Sequence, residues 1–396
     1  MKWLRQTIAV MMINLHTIPA RLGSSTVAII GIAGVVVVFV SVLSISAGFS
    51  NAMGGSGSPG RAIIMRAGSD TEMTSGVGGD EARLIREAPG IRHDGSNPLA
   101  SAELYVIVEI PKKSAPDAGA NVPLRGIEPA GVPLREEISI VEGRMFRTGT
   151  TEVIAGKAAN GQFVGLNVGD TVVSGQNRWS VVGIFEADGS VAETEIWCDV
   201  HVLQGAYNRV NSFSVVVAKL DSMDSFNALR DSLEKNPQLN VNVKRENEYY
   251  RSKSEAMTRL IDTLGFGIAF LMGIGAVFGA VLTMYTAVAS RTREIATLRA
   301  LGFNTGSVLV SVLAESLVLG GIGGVIGAAG AYLGFNGYQT STMNFQTFSQ
   351  VAFAFRVTPG LLATGLFYAL AMGLIGGLLP AIRAARLPIS SALREL

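Results

Sequence analysis

The side chains best suited to catalysis or metal binding are three histidines and one cysteine, and their spacing argues against both chemistries. His16, His93 and His201 are far apart, and none belongs to an H-E-x-x-H arrangement, which would set two imidazoles on one helix face around zinc. His93 beside Asp94 reads as a solvated turn. Cys198 between Trp197 and Asp199 reads as a packed core thiol, since a reactive thiol needs an exposed, electropositive setting. A single cysteine also removes disulfide frameworks, cysteine-type zinc sites and iron–sulfur clusters. There is no G-x-S-x-G elbow for a serine nucleophile. Gly156-Lys157 is the lone Gly-Lys pair; Ala158 follows it and Thr151 stands where a phosphate loop needs glycine. If ATP drives this protein, another polypeptide is expected to hydrolyse it.

The elements that must carry any function are set by charge. Of 396 residues, 48% are hydrophobic and 16% charged, against about 25% charged in soluble domains. Net charge is +1, so there is no global basic field for nucleic acid. No charge lies between Arg21 and Arg61, within Thr263–Ser290 or within Val357–Ile382, and Thr305–Phe335 contains only Glu315. Each run exceeds the roughly 20 apolar residues that span a bilayer as a helix. In lipid the backbone must satisfy its own hydrogen bonds, which excludes exposed loops or open strands there. The first run exceeds the roughly 7–15 residues of a signal sequence, so it reads as an uncleaved signal-anchor.

Positive flanks set the orientation. Lys2, Arg5 and Arg21 precede the first helix. Arg291, Arg293 and Arg299 lie between the second and third, and Arg383, Arg386 and Arg394 follow the fourth. These flanks are expected in the cytoplasm, and so is His16. Residues 49–262, with 28 acidic against 22 basic residues, are expected outside. The fold class is therefore an integral membrane α-helical protein, four transmembrane helices in a one-plus-three arrangement, with a large inserted extracytoplasmic α+β domain. The expected order is a cytoplasmic amphipathic segment 1–23, helix 24–48, external domain with stalk 49–257 and helix 258–290. A cytoplasmic helix 291–303, helix 304–335, external loop 336–356, helix 357–382 and cytoplasmic tail 383–396 complete it.

In the external domain, alternation predicts strands at Arg61–Arg66, Leu104–Ile110, Thr171–Ser174, Ser180–Phe185 and Ser212–Leu220. Helices are predicted at Asp80–Ala88, capped by Asp80 and stopped by Pro89-Gly90, and at Asp221–Lys235. Residues 54–60 and 114–121 are expected to be loops. Glu246–Arg259 is expected to be a helical stalk running into the second membrane helix.

Within the membrane helices, small residues recur four apart: Gly275 and Gly279, Gly323 and Gly327, Gly330 and Gly334, Gly373 and Gly377. That spacing makes flat patches for close helix approach. Glu315, about two turns from the cytoplasmic end, reads as an anchor bonded to a neighbouring helix or an arginine. In Ser290–Gly302, Ile295, Leu298 and Leu301 recur every three residues, with Arg291, Arg293, Glu294 and Arg299 around them. Gly302 is a stop and Asn304 a cap for the next helix. Such a short charged helix suits lipid headgroups or a partner's groove.

At Arg291–Gly302, followed by Glu315 and Gly320–Gly330, the chain resembles the MacB/FtsX-type permeases of ABC transporters. Pro380–Ile389 with Ala392-Leu393-Arg394 is similar to the family's ending. Glu142–Phe146, Glu152–Gly156, Val168-Gly169-Asp170 and Val181–Phe185 are similar to its extracytoplasmic domain. The N-terminal Asn14-Leu15, Arg21 and Gly31-Ile32 fit too. The resemblance implies a non-catalytic permease of the bacterial cytoplasmic (inner) membrane, without cofactor of its own, ATP and magnesium belonging to two copies of a partner ABC ATPase. It implies a second permease copy or paralogue, with a periplasmic adaptor and outer-membrane duct as optional partners, and no nucleic acid. It casts Arg291, Arg293, Glu294, Leu298, Arg299 and Leu301 as the ATPase-coupling residues. ATP-driven movement of the external domain would then export or extract a lipophilic, peptide or lipoprotein cargo, or alternatively regulate an external cell-wall hydrolase without moving cargo.

Overall fold

The computed structural model describes residues 6–8, 11–12, 22–174, 177–343 and 349–388. Expectations placed on Lys2, Arg5, Asn14, Leu15, His16, Arg21, Ile389 and Ala392–Arg394 lie outside them. The chain divides into two compact units: Met1–Ala47, Arg259–Tyr338 and Phe355–Leu396 in one, Gly48–Thr258 and Gln339–Ala354 in the other.

Along the chain, α1 (Leu22–Gly54) leads into β1 (Arg61–Arg66), β2 (Val77–Gly78), α2 (Gly79–Arg86), β3 (His93–Asp94) and β4 (Asn97–Pro98). Next come β5 (Ala100–Lys112), β6 (Ala115–Ile127), β7 (Ser139–Gly143), β8 (Glu152–Gly156) and α3 (Lys157–Gln162). β9 (Thr171–Ser174), β10 (Asn177–Glu186), β11 (Ile196–Asp199) and α4 (Val200–Ala206) follow. Then come β12 (Ser212–Phe213), β13 (Val215–Lys219), α5 (Ser225–Glu234) and β14 (Val241–Arg245). The remainder is α6 (Glu246–Ala289), α7 (Thr292–Ala300), α8 (Thr305–Phe335), β15 (Gln339–Met343), β16 (Gln350–Ala354) and α9 (Pro359–Arg386).

α1, α6, α8 and α9 are long and apolar enough to cross a membrane. α1 is rich in β-branched residues that disfavour helix in water; an apolar surround reverses that preference, because only helix satisfies its backbone internally. α6 is one continuous helix, so the stalk and the second apolar segment are a single element. α8 starts at the expected cap, where Asn304 Oδ1 accepts from Gly306 N at 3.2 Å.

The other unit is built on a mixed sheet ordered β14-β1-β13-β5-β6-β11-β8-β10-β7, with β9 on β10. β5 and β6 form a long antiparallel hairpin, Leu104 opposite Gly126. β11 runs parallel to β6 and antiparallel to β8. Trp179, Trp197, Phe163 and Phe185 are its largest buried aromatics.

Local expectations fail where tertiary pairing overrides composition. Residues 114–121, expected as a loop, mostly lie in β6, because β5 supplies a partner register down to Lys112 opposite Ala115. Asp80 is not the cap of α2. Gly78 occupies that position, and the Glu81 carboxylate reaches back to accept Gly78 N at 2.7 Å. The expected strand at Ser212–Leu220 breaks at Ser214, whose amide instead donates to Glu103 O. α5 begins at Ser225, not Asp221. Residues 336–356, expected as an external loop, contain the β15–β16 hairpin, which belongs to the same unit as the sheet.

A buried charge network ties this unit together. Arg125 on β6 pairs with Glu195 through two bonds, Nε–Oε2 2.7 Å and Nη2–Oε1 2.9 Å. Its Nη1 also donates to Glu72 at 2.6 Å and Glu103 at 2.9 Å. Arg135 donates twice to Glu103, at 2.7 and 2.9 Å. Burial acts to raise the Glu103 carboxyl, but Arg135 and Arg125 overcome it and hold the group below the usual range. At Glu72 burial outweighs Arg125, and the group sits above that range.

Removing one partner of such a network strands buried charge, so Arg125→Met is expected to cost about 3–5 kcal/mol. The check is thermal unfolding of the full chain in detergent, followed by the fluorescence of Trp179 and Trp197. Glu103→Gln should be costlier than Glu72→Gln. Glu103 contributes stability above the unfolded carboxylate pKa, and loses it as pH falls through its lowered folded value. Glu72 has the opposite sign: its contribution is lost as pH rises through its raised folded value. The cost of Glu72→Gln should therefore shrink from acid to neutral pH, and a cost that grows would refute this reading.

Candidate functional site

The segment joining α6 to α8 builds the most defined site in the membrane unit. α6 ends at Ala289, and the Arg291 carbonyl accepts Ile295 N at 2.9 Å to open α7. α7 closes with Gly302 N on Arg299 O at 3.1 Å and Phe303 N on Leu298 O at 3.2 Å. Gly302 has φ +93°, the left-handed conformation a helix stop demands of glycine.

Ile295, Leu298 and Leu301 do not share one environment. Ile295 and Ala296 are buried, Leu298 is half-buried and Leu301 is 73% exposed. Steps of three residues fall short of a full turn, so Ile295 and Leu301 point about 120° apart at 3.6 residues per turn. Ile295 packs in a cluster with Met284, Val288, Val308, Val312 and Ala384.

The six residues cast as ATPase contacts also separate. Arg293 and Glu294 are exposed in the first turn of α7, about two turns from Leu301 at its C-cap. Arg291 points inward: it is buried and pairs with Glu315 of α8, Nη1–Oε2 3.2 Å and Nη2–Oε1 3.4 Å. Its side chain therefore faces α8, whereas those of Arg293 and Glu294 are exposed. Arg299 is half-buried and its Nη1 donates to Leu387 O, the C-cap of α9. A guanidinium there meets carbonyls that the helix leaves unsatisfied, at the negative end of its dipole. α7 is thus pinned to α8 by one arginine and to the end of α9 by another. A cavity of about 320 Å³ lies against α7, lined by Met284, Val288, Ile295, Leu298 and Val312, with the Arg291–Glu315 pair and the exposed Glu294 also in its wall.

The glycine pairs divide as well. A β-carbon at Gly327 would lie 2.6 Å from Ala33 O, and one at Gly323 3.0 Å from Ile29 O, so both let α8 approach α1. Gly373 allows α9 to meet Ser316 O of α8, and Gly377 faces Ser316 Oγ. A β-carbon at Gly330 would lie 3.3 Å from Val37 Cγ2, a tight approach to α1, and at Gly334 it would meet nothing within 4 Å among the described residues. A β-carbon at Gly275 or Gly279 would also meet no neighbour within 4 Å, so among the described residues they make no close helix contact. Three further contacts involve glycines outside those four pairs. Gly320 sits against Gly373, Gly376 against Ala280, and Gly273 makes room for Tyr368, whose hydroxyl donates to Ala269 O at 2.7 Å.

In the other unit, Cys198 is fully buried and burial pushes its thiol well up. His93 Nδ1 lies 3.0 Å from Ile91 O, and His201 Nδ1 lies 3.3 Å from Gln204 Oε1. Among the described residues no group of three or more histidine, cysteine, aspartate or glutamate side chains could hold a metal ion.

Comparison with known proteins matches residues 25–236 to a family described as MacB-like periplasmic core domain. Residues 266–389 match FtsX-like permease C-terminal. The chain is 32% identical over 143 residues to the "uncharacterized ABC transporter permease YknZ" of Bacillus subtilis (strain 168), covering 35% of this chain and 32% of that protein. It is 35% identical over 144 residues to the "macrolide export ATP-binding/permease protein MacB" of Nitrobacter winogradskyi, covering 36% of this chain and 21% of that protein. These matches span a third or less of the relatives' length. The crystal structure of the periplasmic region of MacB from Actinobacillus actinomycetemcomitans aligns with 50% of this chain and 93% of its own, at 11% identity and a TM-score of 0.37.

Two substitutions test the packing. Gly327→Leu and Gly373→Leu should each cost about 1–3 kcal/mol or prevent folding, because the new side chain meets backbone. Gly275→Leu should leave the folded chain unchanged, as read by thermal stability in detergent. Glu315→Leu takes away a carboxylate facing the buried Arg291, so it should destabilise the chain. The double variant Arg291→Met/Glu315→Leu should recover most of the loss, and a strictly additive result would show the pair to be uncoupled.

Proposed function

This chain belongs to the MacB-like permeases of ABC transporters, and on that premise we propose that it converts ATP hydrolysis by a separate ATPase into movement of its extracytoplasmic domain. Two ATPase copies serve two permeases, with ATP and magnesium held on the ATPase. The membrane is the bacterial inner membrane, crossed by α1, α6, α8 and α9. The cargo is lipophilic, peptide or lipoprotein, handled on the outer side. The short matches to whole relatives leave partner and cargo as inferences from chemistry.

One observation carries the reading: α7 presents Arg293, Glu294 and Leu301 outward, while Arg291 and Arg299 bind it inward to α8 and to the end of α9. An exposed leucine about two turns from a pair of opposite charges offers a partner both apolar and polar contacts along one short helix. Force applied there passes through buried, directional bonds to two further helices. α6, at 1.5 Å per residue, would carry a displacement about 66 Å to Glu246. The spans themselves favour packing over conduction. Within the four apolar runs Glu315 is the one carboxylate, and it pairs with Arg291.

Affinity purification of the tagged chain from native membranes should recover an ABC ATPase in stoichiometric amount, identified by mass spectrometry. Glu294→Arg combined with Arg293→Glu should weaken ATPase association by about tenfold or more, and Leu301→Asp should do the same. Unchanged elution and melting of the permease would show that the fold survives. Full ATPase recovery with these variants would remove α7 as the docking element.

A further inference from the structure

The β15–β16 hairpin has no role in the reading above. A link between two neighbouring membrane helices need only turn the chain round, yet Gln339–Met343 and Gln350–Ala354 pair in an antiparallel ladder, Thr340 opposite Phe353 and Thr342 opposite Val351. Ser349, Val351, Ala352 and Phe353 are all buried. Ordering strands costs conformational entropy, so the hairpin must gain that back by docking.

Its docking partners lie in the sheet unit. The Phe353 ring meets Phe49 edge-on, centroids 5.6 Å apart, and Gly48 leaves no room for a side chain beside Ala354 O. Lys112 Nζ at the end of β5 donates to Gln350 Oε1 at 3.1 Å, and the Tyr105 hydroxyl lies 3.5 Å from Ser349 Oγ. Ser349 and Val351 line a small cleft with Glu72, Tyr105, Tyr249 and Tyr250, beside the buried charges of the sheet. In the membrane unit, the residues that flank the hairpin are also paired. Gly337 N donates to Phe355 O and Phe355 N to Tyr338 O, both at 2.9 Å, and Phe335 stacks on Phe355 with planes 6° apart.

We propose that this hairpin is a second mechanical connection, acting beside α6, through which α8 and α9 drive the extracytoplasmic sheet, with Phe353, Val351 and Gln350 as its positioning residues. The inference rests on the ATP-coupled reading and deepens it. α8 starts three residues after Gly302, so the element that follows the docking helix leads directly to the hairpin. The sheet then receives displacement at β5 from the hairpin as well as at β14 from the stalk.

The test is hydrogen–deuterium exchange of the full chain with its co-purified ATPase in lipid nanodiscs, with and without ATP plus vanadate. In the wild type, the Val351 and Phe353 amides should be protected without nucleotide, and trapping should change protection in β5. The variant Val351→Ser/Phe353→Ser should free the hairpin, retain ATPase activity within about twofold and lose most of the β5 change. If that variant does not fold, Gln350→Ala with Tyr105→Phe replaces it. This milder pair removes two hydrogen-bonding side chains and should speed hairpin exchange by about fivefold or more. A freed hairpin with the full β5 response would overturn the proposal, and so would unprotected hairpin amides in the wild type, neither touching the parent reading. A protected hairpin with no nucleotide response anywhere outside the ATPase would overturn the parent reading, and this proposal with it.

Discussion

Burying a charge or a backbone polar group without a partner is prohibitively costly, and every defining feature of this protein answers that constraint. In the apolar segments it forces helix, because no other structure satisfies the backbone alone. Helices in lipid then gain little from hydrophobic burial against one another, so contact depends on close approach of backbones. Gly323 and Gly327 against α1, and Gly320 against Gly373 between α8 and α9, supply that approach. The carboxylate that breaks the apolar rule, Glu315, is buried with Arg291 paired to it.

The same constraint shapes the sheet unit by a different route. Arg125 lies opposite Tyr105 on β5 and opposite Trp197 on β11, so β6 brings its guanidinium to the middle of the sheet. There it binds three carboxylates contributed by separate parts of the chain, Glu72, Glu103 and Glu195. A hydrophobic core tolerates many arrangements of similar volume, whereas this network has one geometry that leaves no charge unpaired. It therefore fixes the relative register of β5, β6 and the segment before β11 more sharply than the apolar contacts around it do.

Much of this was legible in residue types alone. The four apolar runs, the Asn304 cap, the Gly302 stop and the strands Arg61–Arg66 and Thr171–Ser174 follow from local rules that context did not overturn. What was not legible depends on partners distant in sequence. Ala115–Gly119 carries loop composition, yet it is strand because β5 extends to meet it. Glu103 has the polarity of a solvent-facing strand residue, yet it is fully buried because Arg125 and Arg135 converge on it. Gly275 and Gly323 begin identical four-residue spacings, and only packing reveals that the second is a contact and the first is not. Likewise Arg291 and Arg293 are two residues apart and indistinguishable by type, but one turns inward to a carboxylate 24 positions away.

Buried ion pairs stand at both ends of α6, and each fixes the helix against its neighbours. At its start, Glu246 accepts from Arg61 Nε at 2.5 Å and from Ser58 N at 2.9 Å, which joins the first residue of the helix to the strand β1. Arg61 is shared with Glu137, so the joint has a third strut. Just past its end, Arg291 pairs with Glu315. An apolar contact could slide by a residue at small cost, since one methylene resembles the next. A buried ion pair cannot slide, because any intermediate position leaves charge without a partner in a medium of low dielectric. A helix held this way at each end has little slack at its attachments. The placement of these pairs, more than their stabilising energy, is what fixes each end of α6 against its own neighbours.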